Sequence, residues 1–198
     1  MIIGLTGGSG TGKSSASRFF EKNGFIIIDF DALSKKVSTK GSKCLDEIRE
    51  VFGDEVFAPD GTLMRRTLGD IVFSDKKKLS ILTSVTHKYI LKECDILLKE
   101  YEGKNIIFDA PLLFEADLHK KCDYTIAICA DEDIRTERIA LRDGISKESA
   151  KKRIESQKDD NFYIEKSDFT VYNNEGIDSL CAELKNILRS ITDESDSK

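Results

Sequence analysis

Five short apolar runs punctuate an otherwise heavily charged chain. They are Met1-Ile2-Ile3-Gly4-Leu5-Thr6, Phe25-Ile26-Ile27-Ile28-Asp29, Asn105-Ile106-Ile107-Phe108-Asp109, Tyr124-Thr125-Ile126-Ala127-Ile128-Cys129 and Phe169-Thr170-Val171-Tyr172. Each is too short for a buried helix, rich in β-branched residues and apolar almost without interruption, the pattern of a strand covered on both faces. Between the runs, apolar residues return at helical spacing. Ser14 to Phe20 reads as a helix, and another opens at Asp29-Phe30-Asp31, with Asp31 as candidate N-cap. Lys43 to Phe52 (Leu45, Ile48, Val51, Phe52) is a helix stopped by Gly53, and Ala58-Pro59-Asp60-Gly61 is a turn. Arg65 to Phe73 and a long Lys76 to Tyr101 follow, then the charged helices Asp131 to Arg142 and Ser146 to Gln157. A last helix runs from Asn173-Asn174-Glu175-Gly176 to about Ile191, and the polar residues after it are expected to fray. Strands alternating with helices predict an α/β fold, a five-stranded, mostly parallel sheet flanked by helices.

The first strand leads into Gly7-Gly8-Ser9-Gly10-Thr11-Gly12-Lys13-Ser14, which fits G-x-x-x-x-G-K-[ST], and a helix follows at once. Strand, glycine loop and helix is the context that a phosphate-binding P-loop needs. Glycines let successive backbone amides turn toward a phosphate, and the helix N-terminus adds partial positive charge. Gly8, Ser9, Gly10, Thr11, Gly12, Lys13, Ser14 and Ser15 are the candidate ATP cradle. Lys13 is placed for the β- and γ-phosphates and the Ser14 hydroxyl for Mg²⁺.

Ligands of such sheets bind beyond the carboxyl ends of the strands. Asp29, Asp31 and Asp109 fall there. Asp109 closes an apolar strand in the manner of a Walker-B acid and is a candidate Mg²⁺ ligand; a strand-terminal turn acid is the alternative. Asp31 is the candidate general base, with a plain helix cap as its alternative. Arg135, Arg138 and Arg142 recur at i, i+3 and i+7, so one helix face carries three guanidiniums, either as a phosphate-closing lid or as a solvated face. Arg65-Arg66 reads equally as a grip on an anionic substrate or as plain surface. His87, inside the long helix, is a partly buried histidine by default and a substrate contact at its sharpest.

Composition narrows the partners. The chain has 198 residues and a formal net charge of −5, so the chain-wide basic footprint of a nucleic-acid binder is missing. Five scattered cysteines without a C-x-x-C and only two histidines argue against zinc and for reduced thiols in the cytoplasm. No stretch has the length of a membrane span, and the opening apolar run is too short for a signal peptide.

Several segments together resemble one family. Ile3 to Ser14, Ile28-Asp29-Phe30-Asp31, Asp60-Gly61-Thr62-Leu63-Met64-Arg65-Arg66 and Asp109-Ala110-Pro111-Leu112-Leu113-Phe114-Glu115 look like dephospho-CoA kinases, as do Arg142-Asp143, Arg153 and Gln157. The resemblance is colinear over roughly residues 1–190. It implies a single P-loop kinase domain, with core segments 1–59, 102–134 and 166–190, a helical CoA-binding insertion at about 60–101, a lid at about 135–165 and a disordered tail at 191–198. It implies ATP-dependent phosphorylation of the ribose 3′-hydroxyl of dephospho-CoA, with Mg²⁺ accompanying ATP. Asp31, Lys13 and Arg142 become the catalytic residues, and Asn174 borders the adenine. Lys35, Arg65, Arg66, His87, Pro111, Leu112, Leu113 and Glu115 join Asp31 at the acceptor. The partners are then two small molecules, with no nucleic acid or membrane, acting on a monomer or small homo-oligomer. Phe30 between the two acids, Lys35 in place of arginine and Lys88 in place of proline depart from the family pattern on the acceptor side.

Overall fold

A computed structural model describes residues 1–195. Strands β1 (Ile2–Thr6), β2 (Ile26–Asp29), β3 (Ile106–Asp109), β4 (Tyr124–Cys129) and β5 (Phe169–Tyr172) form one sheet in the order β2-β3-β1-β4-β5. β1 pairs in parallel with β3 (Ile3 opposite Ile107) and with β4 (Leu5 opposite Ile126), and β4 pairs in parallel with β5. The five-stranded, mostly parallel α/β sheet expected from the apolar runs is the one observed. β1 and β4 are neighbours whose following connections leave in opposite directions, which opens a crevice beyond their carboxyl ends.

The helices are α1 (Lys13–Lys22), α2 (Phe30–Val37), α3 (Lys43–Phe52), α4 (Arg65–Phe73), α5 (Lys76–Glu100), α6 (Glu132–Asp143), α7 (Lys147–Glu155), α8 (Asp160–Ile164) and α9 (Ile177–Ser195). Sequence periodicity did not reveal α8, because five residues span barely more than one turn. Asp159 caps it by accepting from the Phe162 amide at 3.0 Å. The cap expected at Asp31 belongs to Asp29, whose Oδ1 accepts from the amides of Asp31 (2.8 Å) and Ala32 (3.0 Å). Asp31 therefore lies one residue inside α2 and is exposed. α9 runs four residues past the expected end at Ile191, and the rest of the expected tail, residues 196–198, lies outside the described residues.

The chain divides into two compact units, Met1–Ile28 with Gly103–Lys198 and Asp29–Glu102. In the first, Ile3, Leu5, Ile107, Ile126, Ile128 and Val171 of the sheet pack with Phe20 of α1 and Leu180, Leu184 and Ile191 of α9. Phe20 is wholly buried and meets Phe19 and Phe25 edge-on at 5.4 and 5.3 Å. In the second, Leu45, Ile48 and Phe52 of α3 close over Val56, Phe57, Leu68, Val72 and Val85. The Ala58–Gly61 turn is as expected: the Gly61 amide donates to the Ala58 carbonyl at 2.8 Å, and Phe57 bridges Leu63 across it. No described helix is long and apolar enough to cross a membrane, and no cysteine is in a disulfide.

Truncating Phe20 removes a wholly buried ring from the first core. Phe20→Ala is expected to lower unfolding free energy by about 3–5 kcal/mol. Urea denaturation checks this, and a loss below about 1 kcal/mol would mean that α1 is not anchored through this ring.

Candidate active site

The loop between β1 and α1 is shaped by contacts from the carboxyl ends of the neighbouring strands. Gly12 has φ 101° and supplies no side-chain cap, so the first amides of α1 stay open to a ligand. A Cβ on Gly12 would lie 2.1 Å from Asn173 Nδ2, so glycine is required there by space as well as by conformation. Asn173 is buried just beyond β5. Its Nδ2 donates to the Thr11 carbonyl at 2.8 Å, its amide donates to the Cys129 carbonyl at 2.8 Å, and its Oδ1 has no protein partner. Asn174 accepts from the Asp131 amide at 2.9 Å, tying the turn after β5 to the turn after β4.

The central charge pair joins α1 to β3. Lys13 Nζ pairs with Asp109 Oδ1, and Ser17 Oγ donates to Asp109 Oδ2 at 2.5 Å. Lys13 and Ser17 are one helical turn apart, so both reach the same carboxylate. Each charged side chain is at most 16% exposed, so each depends on the other. Ser14, one residue on, is exposed at the start of α1. No cluster of three histidine, cysteine or acidic side chains suited to a metal occurs among the described residues. A nucleotide-borne Mg²⁺ does not need one, because phosphates and water supply most of its oxygens. Both Asp109 oxygens are already engaged, which fits contact with such an ion through water better than direct ligation.

The three arginines of α6 separate sharply. Arg135 is buried at the loop. Its Nε donates to the Ser9 carbonyl at 3.0 Å and its Nη1 to Asp160 Oδ1 at 2.9 Å. Arg138 Nη1 reaches the Gly10 carbonyl at 3.4 Å. Arg142 is exposed and pairs bidentately with Asp143 at 2.7 and 2.9 Å, and Asp143 also pairs with Arg153. The hydrogen bonds from Arg142 hold the Asp143 carboxyl well down, at about 2, so that pairing persists through neutral pH and is lost only in strong acid. Burial pushes Asp160 up, against the pull of Arg135. Burial also pushes the Cys129 thiol up to about 12, which leaves it neutral and inert at the end of β4.

A cavity of about 380 Å³ opens beside the loop, walled by Gly7, Gly8, Pro111, Leu112, Glu115, Gln157, Lys158 and Tyr163. It brings Pro111, Leu112 and Glu115 together with Gly7 and Gly8 of the loop. Leu113 is instead wholly buried, with its methyls against the Gly4 backbone, so it shapes the segment from beneath. Arg65, Arg66 and Lys35 are exposed in the second unit, and His87 is half-buried on α5. Sequence reasoning missed Ser17 and Asn173 and gave Arg135 no role apart from its two neighbours. The helical offset of Ser17 from Lys13 and the place of Asn173 at the end of an apolar strand were the available signals.

The sequence profile of the CoaE family, described as dephospho-CoA kinase, matches residues 1–179. The chain belongs to the dephospho-CoA kinase family. A dephospho-CoA kinase from Fusobacterium nucleatum is 36% identical over 191 residues, covering 96% of this chain and 98% of that protein. Among solved structures, TT1252 from Thermus thermophilus is similar with a TM-score of 0.82 at 26% identity, covering 98% of this chain and 97% of the other. The dephospho-CoA kinase of Campylobacter jejuni follows with a TM-score of 0.68 at 27% identity, covering 98% of each chain. The acidic end of β3 and the glycine loop are joined here through one carboxylate, Asp109, shared by Lys13 and Ser17.

Removing that carboxylate leaves Lys13 as a poorly solvated charge. Asp109→Ala is expected to cost about 3–5 kcal/mol of stability. In a double-mutant cycle with Lys13→Met, measured by urea denaturation, about 1 kcal/mol or more should be recovered as coupling. Strict additivity would show that the pair is not energetically linked.

Proposed function

We propose that this chain transfers the γ-phosphoryl group of ATP to the ribose 3′-hydroxyl of dephospho-CoA, giving CoA and ADP. The observation that carries the reading is a preformed phosphate loop, with Lys13 held at its base by Asp109, in a member of this family. Phosphoryl transfer asks a protein mainly to align two oxygens and to neutralise charge on the group in flight. The open amides of the loop and Lys13 bind the phosphates. Lys13 exchanges its Asp109 partner for a phosphate oxygen, so the lysine is never unpaired, and Asp109, still bonded to Ser17, is left to face the magnesium that accompanies ATP. The Ser14 hydroxyl and, through water, Asp109 would hold the Mg²⁺ that accompanies ATP, which would supply neutralisation of phosphate charge.

On the acceptor side, Asp31 takes the proton of the 3′-hydroxyl. The move of the cap to Asp29 supports this role, because Asp31 is not consumed by the start of α2. Residues 60–101 form the insertion that holds the CoA moiety, with Lys35, Arg65, Arg66 and His87 as its candidate contacts. Pro111, Leu112 and Glu115 border the transfer point. Residues 135–165 act as a lid that excludes water, with Arg142 drawn to the phosphates on closure. The adenine lies by the turn of Asn174. The protein works in the cytoplasm as a monomer or small homo-oligomer, and neither nucleic acid nor membrane takes part.

Release of ADP from Mg²⁺-ATP should depend on dephospho-CoA and stay at background with adenosine, AMP or shikimate. Release with one of those alcohols and none with dephospho-CoA would overturn the acceptor. Lys13→Ala should lose several kcal/mol of transition-state stabilisation, on the order of 10³-fold in kcat/KM. Asp31→Asn keeps the shape of the side chain and removes the base, so kcat should fall by about 10²-fold or more with ATP binding unchanged. Near-normal turnover of Asp31→Asn would remove it from catalysis.

A further inference from the structure

Gln157, just beyond α7, wraps around one residue of the loop. Its Oε1 accepts from the Ser9 amide at 2.9 Å and from Arg135 Nη2 at 3.4 Å, and its Nε2 donates to Ser9 Oγ at 2.9 Å. A single carbonyl oxygen thus sits where a backbone N–H of the phosphate loop and a guanidinium converge. Two convergent donors, one of them cationic, suit a phosphate oxygen too, and bond an anion more strongly than a neutral amide. The residue is exposed; among the described residues its side-chain hydrogen bonds run to Ser9 and Arg135, and its backbone amide donates to the Ile154 carbonyl at 3.0 Å.

The donors, by contrast, are fixed. Arg135 is anchored at its other edges by the Ser9 carbonyl and by Asp160, with its side chain only 5% exposed. Gly8 leaves it room: a Cβ there would come within 2.4 Å of Nη2. Space on both sides allows the glutamine to move. Gln157 and Lys158 line both the 380 Å³ cavity next to Gly7 and Gly8 and a second cavity of about 430 Å³ bounded by Arg135, Asp159 and Asp160.

We infer that Gln157 Oε1 is a displaceable stand-in for a phosphate oxygen of ATP, and that Arg135 is the guanidinium that receives this oxygen once the glutamine leaves. The inference rests on the nucleotide reading of the loop. It makes Gln157 a positioning residue. Without nucleotide it keeps the Ser9 amide and Arg135 aimed at one point. With nucleotide it is expelled, and the expulsion pulls on the α7–α8 segment to which it belongs. Arg135 is the inner cation of the site, and Arg142, seven residues and about 10 Å along the same helix, is the outer one.

The test compares Gln157→Ala with Gln157→Glu, titrated with ATP and with AMP, which lacks the β- and γ-phosphates. Loss of the internal competitor in Gln157→Ala should tighten ATP by about threefold to tenfold. The carboxylate of Gln157→Glu bonds the same two donors more strongly and repels phosphate, so ATP should weaken by about tenfold or more. AMP affinity should be unchanged in both, and thermal melting should show both folded. Weaker ATP binding by Gln157→Ala would make the glutamine a ligand of bound nucleotide and overturn the inference, as would equal ATP affinity in both variants. Wild-type protein that binds no ATP would instead remove the function on which the inference rests.

Discussion

One carboxylate holds the phosphate loop in place. Asp109 ends β3, next to the strand that feeds the loop, and its two oxygens are divided between Lys13 and Ser17 of the following helix. The pairing registers α1 against the sheet and neutralises a lysine that would otherwise be a lone, half-desolvated charge. It also sets the chemistry. A cation already balanced by an internal anion can pass to an incoming phosphate without being bared at any stage. The parallel order β3-β1-β4 is what brings the strand ends close enough for this.

The far side of the loop is held through its backbone carbonyls. Asn173 grips the Thr11 carbonyl and occupies the space that a side chain at Gly12 would need. Arg135 donates to the Ser9 carbonyl. Charge at the base and carbonyl contacts along the rim hold the loop in shape before a ligand arrives. Pre-shaping of this kind lowers the reorganisation needed in the transition state.

The sheet and nearly every helix were legible because their signals are local. Apolar runs of four to six residues can hardly be anything but strands in a chain this charged, and Ser42 and Gly53 bracket α3 as cap and stop. The P-loop was legible for the same reason: its glycines answer to backbone geometry within eight residues. What stayed hidden depends on contacts distant in sequence. Asn173 acts on Thr11 across 162 positions, and Arg135 acts on Ser9 across 126. Nothing in the spacing of Arg135, Arg138 and Arg142 shows which one turns inward. The cap at Asp29 was missed because Asp29 and Asp31 are equally good caps by composition, and only the backbone decides between them.

The account makes a regiochemical claim: one phosphoryl group, from ATP, on one hydroxyl. Phosphorus NMR of the product with proton–phosphorus correlation tests it most directly. Incubation with dephospho-CoA and Mg²⁺-ATP is predicted to give one new phosphomonoester resonance, correlated with the ribose H3′ proton and appearing in step with ADP. A resonance correlated with H2′, or ADP without a new ester on dephospho-CoA, would contradict it.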